Sequence, residues 1–115
     1  MLFRSRREAI QKVIEFARLP ADWDGRGSQA PSRVVREAAL DLLLNVPGEM
    51  FPPPKVVPVS GGGFHFEWSL GTRELEISIE PDCRFDALRV EHGMPIEEES
   101  TPDLPALFGW LALSQ

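Results

Sequence analysis

The stretch GGGFHFEWSLGTRELEISIE, residues 61–80, alternates apolar and polar side chains on both sides of a central glycine. A period of two marks strands with one buried face, and Gly71 followed by Thr72 suits a two-residue type II′ turn with glycine first. That turn pairs Leu70 with Arg73, Trp68 with Leu75, Phe66 with Ile77 and Phe64 with Ile79. Aromatic side chains of one strand then meet aliphatic ones of its neighbour, while His65, Glu67, Glu74, Glu76 and Glu80 collect on the other face. A slip of one residue would oppose Phe66 to Glu76 and destroy the agreement.

The next turn lies in EPDCR. A two-residue loop would set Ile79 against Asp86. A three-residue loop of Pro81, Asp82 and Cys83, a type I turn plus bulge, sets Ile79 against Phe85 and Ile77 against Ala87. The longer loop therefore fits, with Cys83 in the left-handed position at a strain of about 1–2 kcal/mol. Beyond Ala87 alternation puts Arg89 on the buried side and Leu88 and Val90 on the wet one, so a bulge or a strand end is expected there. Upstream, KVVPV at 55–59 contains a proline that cannot donate to a ladder on both sides and reads as an edge strand.

Two helices precede the strands. Ile10, Val13, Ile14 and Ala17 form one stripe of a helix over about 5–18, and Val35, Ala38, Ala39 and Leu42 form another, opened by Pro31 and Ser32 and closed at Asn45 before Val46 and Pro47. Between them LPADWDGRGSQAPS is too rich in Pro, Gly, Asp and Ser for either regular structure. Residues 92–102 read as an acidic tether, and 103–115 as a short helix, apolar almost all round, that must find cover. The expected architecture is α+β in one domain: a helical part over 1–46 packed on a three- to four-stranded antiparallel meander over 54–91, then the tether and the apolar C-terminal segment. The expected core is Ile10, Val13, Ile14, Val35, Ala38, Leu42, Phe64, Phe66, Trp68, Leu75, Ile77, Ile79 and Phe85.

The chain has 115 residues and a formal charge of −6. Residues 1–36 carry +4, including Arg4, Arg6, Arg7 and Lys12, and residues 37–115 carry −10. A negative body repels phosphate backbones, which argues against direct nucleic-acid binding and for a positively charged protein partner. No apolar run reaches membrane-spanning length and the N-terminus lacks a signal-peptide pattern, so a cytoplasmic protein is expected. With Cys83 the single cysteine and His65 and His92 the two histidines, disulfides and cysteine-rich zinc patterns are excluded.

Two constellations could carry chemistry. Glu67 and Glu76 are cross-strand partners in the register above, and carboxylates about 5 Å apart repel by about 0.8 kcal/mol even in water. A cation or a catalytic carboxylate pair, with His65 as ligand or base, would explain them; so would a solvated or docking face. One His and two Glu without a further His, Asp or Cys is a weak metal signature, so no metal, cofactor or catalytic residue is assigned, and the docking face is preferred. In the loop, Trp23 and Asp24 beside glycines could bind a ligand, although an indole plugging a gap and aspartates closing turns is the commoner use of such residues. Cys83 lacks the electropositive setting of a nucleophile, and SGGG at 60–63 lacks the lysine and helix of a phosphate loop.

WDGRGSQAPS, VVPVSGGGFHFEW and ELEISIEPD together resemble a family of small uncharacterised bacterial proteins with Trp-Asp-Gly-x-Gly and Gly-Gly-x-x-x-Glu-Trp motifs, over residues 20–90. The chain departs from that pattern with Cys83 at the turn glycine and with its apolar C-terminal segment. The resemblance implies no activity. The residues point to a non-catalytic interaction protein, an inhibitor, antitoxin or accessory subunit, that contacts a basic protein surface through Glu67, Glu74, Glu76, Glu80, Leu88, Phe108 and Trp110. The alternatives are a metal-dependent or carboxylate enzyme using His65, Glu67 and Glu76, and a homodimer closed by the C-terminal segment.

Overall fold

A computed structural model describes residues 6–46 and 51–113. Its elements are α1 (Arg6–Phe16), α2 (Arg33–Asn45), β1 (Lys55–Val59), β2 (Gly63–Leu70), β3 (Arg73–Ile79), β4 (Phe85–Glu91), β5 (Met94–Ser100) and α3 (Leu104–Ala112). The expected helix start at Ser5, the basic Arg4 and the helix-closing Pro47 lie outside the described residues. The five strands form one antiparallel sheet in chain order, an α+β fold with its helices on one face.

The β2–β3 hairpin has the register that its alternation dictates, Phe64 to Ile79, Phe66 to Ile77, Trp68 to Leu75 and Leu70 to Arg73. Gly71 takes φ +61° at the first turn position, where a Cβ would be strained. The next loop has three residues: the Cys83 amide donates to the Glu80 carbonyl at 2.7 Å, Asp82 Oδ1 accepts the Arg84 amide at 3.0 Å, and Cys83 sits at φ +71°. Ile79 then faces Phe85 and Ile77 faces Ala87.

The sheet has five strands rather than three or four, because the segment expected as an acidic tether is a strand. His92 and Gly93, at φ +50° and +77°, make a two-residue loop with both residues left-handed, as a type I′ turn requires. β5 then pairs with β4, with a register shift at Arg89/Val90. Three consecutive glutamates are poor strand formers, but an edge strand needs a ladder on one side only, and alternation sends them to opposite faces. Glu97 and Glu99 meet Arg89 at 3.6 and 3.3 Å, so the arginine that alternation puts on the helix side is also what neutralises them.

The helices begin where the sequence supplies caps. Ser32 Oγ accepts the Val35 amide at 3.3 Å and Asp103 Oδ1 accepts the Ala106 amide at 3.3 Å. α1 packs on α2 and beside β1, α2 crosses β2 and β3, and α3 lies on β3. Phe64, Phe66, Trp68, Leu75, Ile77 and Ile79 are all buried beneath them, with Val13, Val35 and Leu42 above. Four expected core residues are less covered: Ile14 is 36% exposed and Ile10, Ala38 and Phe85 are half-buried. On α1 Ala9 accompanies Val13, and on α2 Leu43 joins Val35, Ala39 and Leu42 of the expected stripe. α3 completes the core: Phe108 meets Trp68 edge-to-face at 5.0 Å and Phe51 at 5.6 Å, and Trp68 stacks on Phe66 at 5.8 Å. Among the described residues no helix is long and apolar enough to cross a membrane.

Candidate functional site

The three helices pack against one face of the sheet, and among the described residues no element covers the other. Strand register orders the side chains of that open face into rows. One row runs Lys55, Glu67, Glu76, Leu88, Glu98 from β1 to β5, and the next runs Val57, His65, Ser78, Asp86, Ser100. Glu74 lies one pleat further along β3. Lys55, at the β1 edge, is the one lysine or arginine that the strands present here, because alternation turns Arg73 and Arg89 to the helix side.

His65 draws the two central acids together. Its Nε2 is 3.3 Å from Glu67 Oε1 and 3.1 Å from Glu76 Oε1, while its Nδ1 shares a 2.9 Å hydrogen bond with Ser78 Oγ. The geometry follows from the pleat: Glu67 is two residues from His65 on β2, and β3 sets Glu76 opposite Glu67 and Ser78 opposite His65. The imidazole side chain is 22% exposed, Glu76 29% and Glu67 43%. A protonated Nε2 donates to the carboxylates; an unprotonated one adds a third lone pair to a point where two carboxylates already converge. Among the described residues this is the group of potential ligands, all within 4.8 Å of one another, that could hold a metal ion.

Asp86, in the same row as His65, is by contrast satisfied. Ser100 Oγ donates to it at 2.8 Å and Arg84 Nη2 at 3.1 Å, and its carboxyl is held below the usual range by the Ser100 hydroxyl first and Arg84 second. Glu74 and Glu98 meet no cation among the described residues, and both are exposed.

The residues expected to bind a partner divide between two sides of the sheet. Glu67, Glu74, Glu76 and Leu88 share the open face, and Glu80 follows β3 at the base of the next turn. Phe108 is a correction: it is 3% exposed and belongs to the core. Trp110 is on the helix side, clamped under Arg73 at 4.7 Å and Arg89 at 5.5 Å, and its carbonyl accepts Arg73 Nη1 at 2.6 Å. The cover that α3 finds for Leu107, Phe108 and Leu111 is this chain's own core. Glu98 was hidden from sequence reasoning by the tether reading. The signal that exposes it is the His92–Gly93 pair, whose two left-handed positions bring β5 back along β4.

The loop candidates act as a brace. Asp24 accepts Ser28 Oγ at 2.5 Å, Ser60 Oγ at 2.6 Å, and the amides of Arg26 at 2.9 Å and Ser28 at 3.3 Å. These donors, Ser28 first and Ser60 second, hold its carboxyl far below the ordinary range. Four donors occupy the lone pairs that a ligand would need. Ser28 Oγ also accepts the Gly61 amide at 3.1 Å, and Trp23 Nε1 donates to the Gln29 carbonyl at 3.2 Å, so the loop is tied to itself and to the β1–β2 turn. Behind the sheet, an apolar cleft of about 440 Å³ opens between α2 and α3, lined by Leu42, Phe85, Leu104 and Phe108 with Asp41 and Asn45.

No family model, curated protein or solved structure matches this chain.

Proposed function

We propose that this protein is a non-catalytic interaction module that docks the open face of its sheet onto a basic protein surface. The observation that carries the reading is the uncovered face itself: Glu67, Glu74, Glu76 and Glu98 spread across three strands, opposed there by Lys55 alone among the strand lysines and arginines. Like charges held on a rigid sheet repel one another, and a surface of opposite sign relieves that repulsion while steering the encounter. Leu88, flanked by Glu76 and Glu98 in the central row, supplies an apolar contact within the charged field.

A basic surface on a protein is commonly one that handles phosphate, and acids seated on it would exclude nucleic acid. The role that follows is an inhibitor, antitoxin or accessory subunit of a nucleic-acid-processing system. The test is affinity purification from the host with the wild-type chain and with a Glu67→Gln, Glu74→Gln, Glu76→Gln, Glu98→Gln variant. The expected result is one stoichiometric protein, released by salt and absent with the variant. A partner retained equally by the variant, or none at all, overturns the reading.

A further inference from the structure

We infer that His65, Glu67 and Glu76 form a binding site for one divalent cation of the zinc class on the open face of the sheet. Two ligand atoms bound at about 2.0–2.1 Å to a tetrahedral ion lie about 3.3 Å apart. His65 Nε2 is already 3.3 Å from Glu67 Oε1 and 3.1 Å from Glu76 Oε1, so an ion bridges ring and acids with side-chain adjustments alone. All three ligands stand on adjacent paired strands, which gives the site a rigid base. The Ser78 hydroxyl bonds the far ring nitrogen at 2.9 Å and orients the imidazole with Nε2 toward the acids, as outer-shell partners of metal-bound histidines do.

The donor set selects the ion. Calcium takes six to eight oxygens and magnesium keeps most of its waters, whereas one imidazole with two carboxylates suits zinc and its neighbours among the transition metals. Three protein ligands leave a position pointing away from the sheet for water or a donor of another molecule. The ion would also cancel the Glu67–Glu76 repulsion that the fold otherwise tolerates.

The site stands independently of the docking reading, since its test contains no partner. The chelator-stripped full chain is titrated calorimetrically with zinc alone, and the imidazole nitrogen resonances of its two histidines are followed. One equivalent should bind, moving the His65 ring signal and leaving that of His92. Affinity should fall by at least about tenfold in His65→Gln and in Glu76→Gln and stay unchanged in Glu74→Gln, which alters the same face outside the cluster. A hundredfold excess of magnesium or calcium should not displace the zinc. Absence of saturable binding up to millimolar zinc overturns the inference. Binding that survives both ligand substitutions, or that yields to magnesium or calcium, overturns it too.

Discussion

Glu67 and Glu76 stand directly opposite each other on adjacent strands, and both carboxylates lie within 3.3 Å of the same imidazole nitrogen. In metal-free buffer the two carboxylates, partners across the ladder, repel each other. Glu67→Gln is therefore expected to raise stability by up to about 1 kcal/mol in denaturant unfolding, with a gain that shrinks as salt is added. A loss of stability of that size would show that the contact of Glu67 with the ring outweighs its repulsion from Glu76.

Phe108 joins the C-terminal helix to the sheet through Trp68 and also meets Phe51, ahead of β1. Phe108→Ala is expected to cost about 3–5 kcal/mol, the range for emptying a buried aromatic site, whereas Leu113→Ala, at 78% exposure, should fall within about 0.5 kcal/mol of wild type. Removal of residues 103–115 should abolish the cooperative unfolding transition. Retention of that transition would mean that α3 is not part of the core.

The Asp24 brace links stability to acid. Its carboxyl is held far below the ordinary range when folded, by Ser28 and then Ser60, and returns to that range when the chain unfolds. The unfolded state therefore takes up the proton first, so this group's stabilisation is present in full above about pH 5 and is lost as pH falls below about 4. Asp24→Asn should be less stable than wild type at pH 7, with the difference narrowing toward pH 3. Asp86 and Glu91 are lowered in the same direction, by Ser100 and by Arg73 respectively, so the variant keeps some acid sensitivity. A difference constant between pH 7 and pH 3 would contradict the brace.

The β4–β5 turn uses histidine where asparagine is favoured. His92 is exposed at φ +50° and precedes a left-handed Gly93. Asparagine before Gly93 is the dipeptide that type I′ turns prefer, so His92→Asn is expected to stabilise the protein by about 0.5 kcal/mol, read as a shift in denaturant midpoint at constant slope. Destabilisation would place a side-chain role at His92 beyond the turn.

Alternation of side chains and two turns were sufficient by themselves to set the register from Phe64 to Ala87, since any slip would put aromatic residues in water and acids in the core. The same periodicity brought His65, Glu67 and Glu76 onto one face. Tertiary structure alone decided the rest. Whether 92–102 is solvated chain or a fifth strand depends on a neighbouring strand and on Arg89, which lies several residues away in sequence but directly across the ladder from Glu97. Whether Phe108 is a docking residue or a core residue depends on which surface covers α3. Asp24 and Ser60, 36 residues apart, meet only because the loop folds back on the β1–β2 turn. Local patterns specify which side of an element is apolar; what that side touches is set by contacts between segments far apart in the chain.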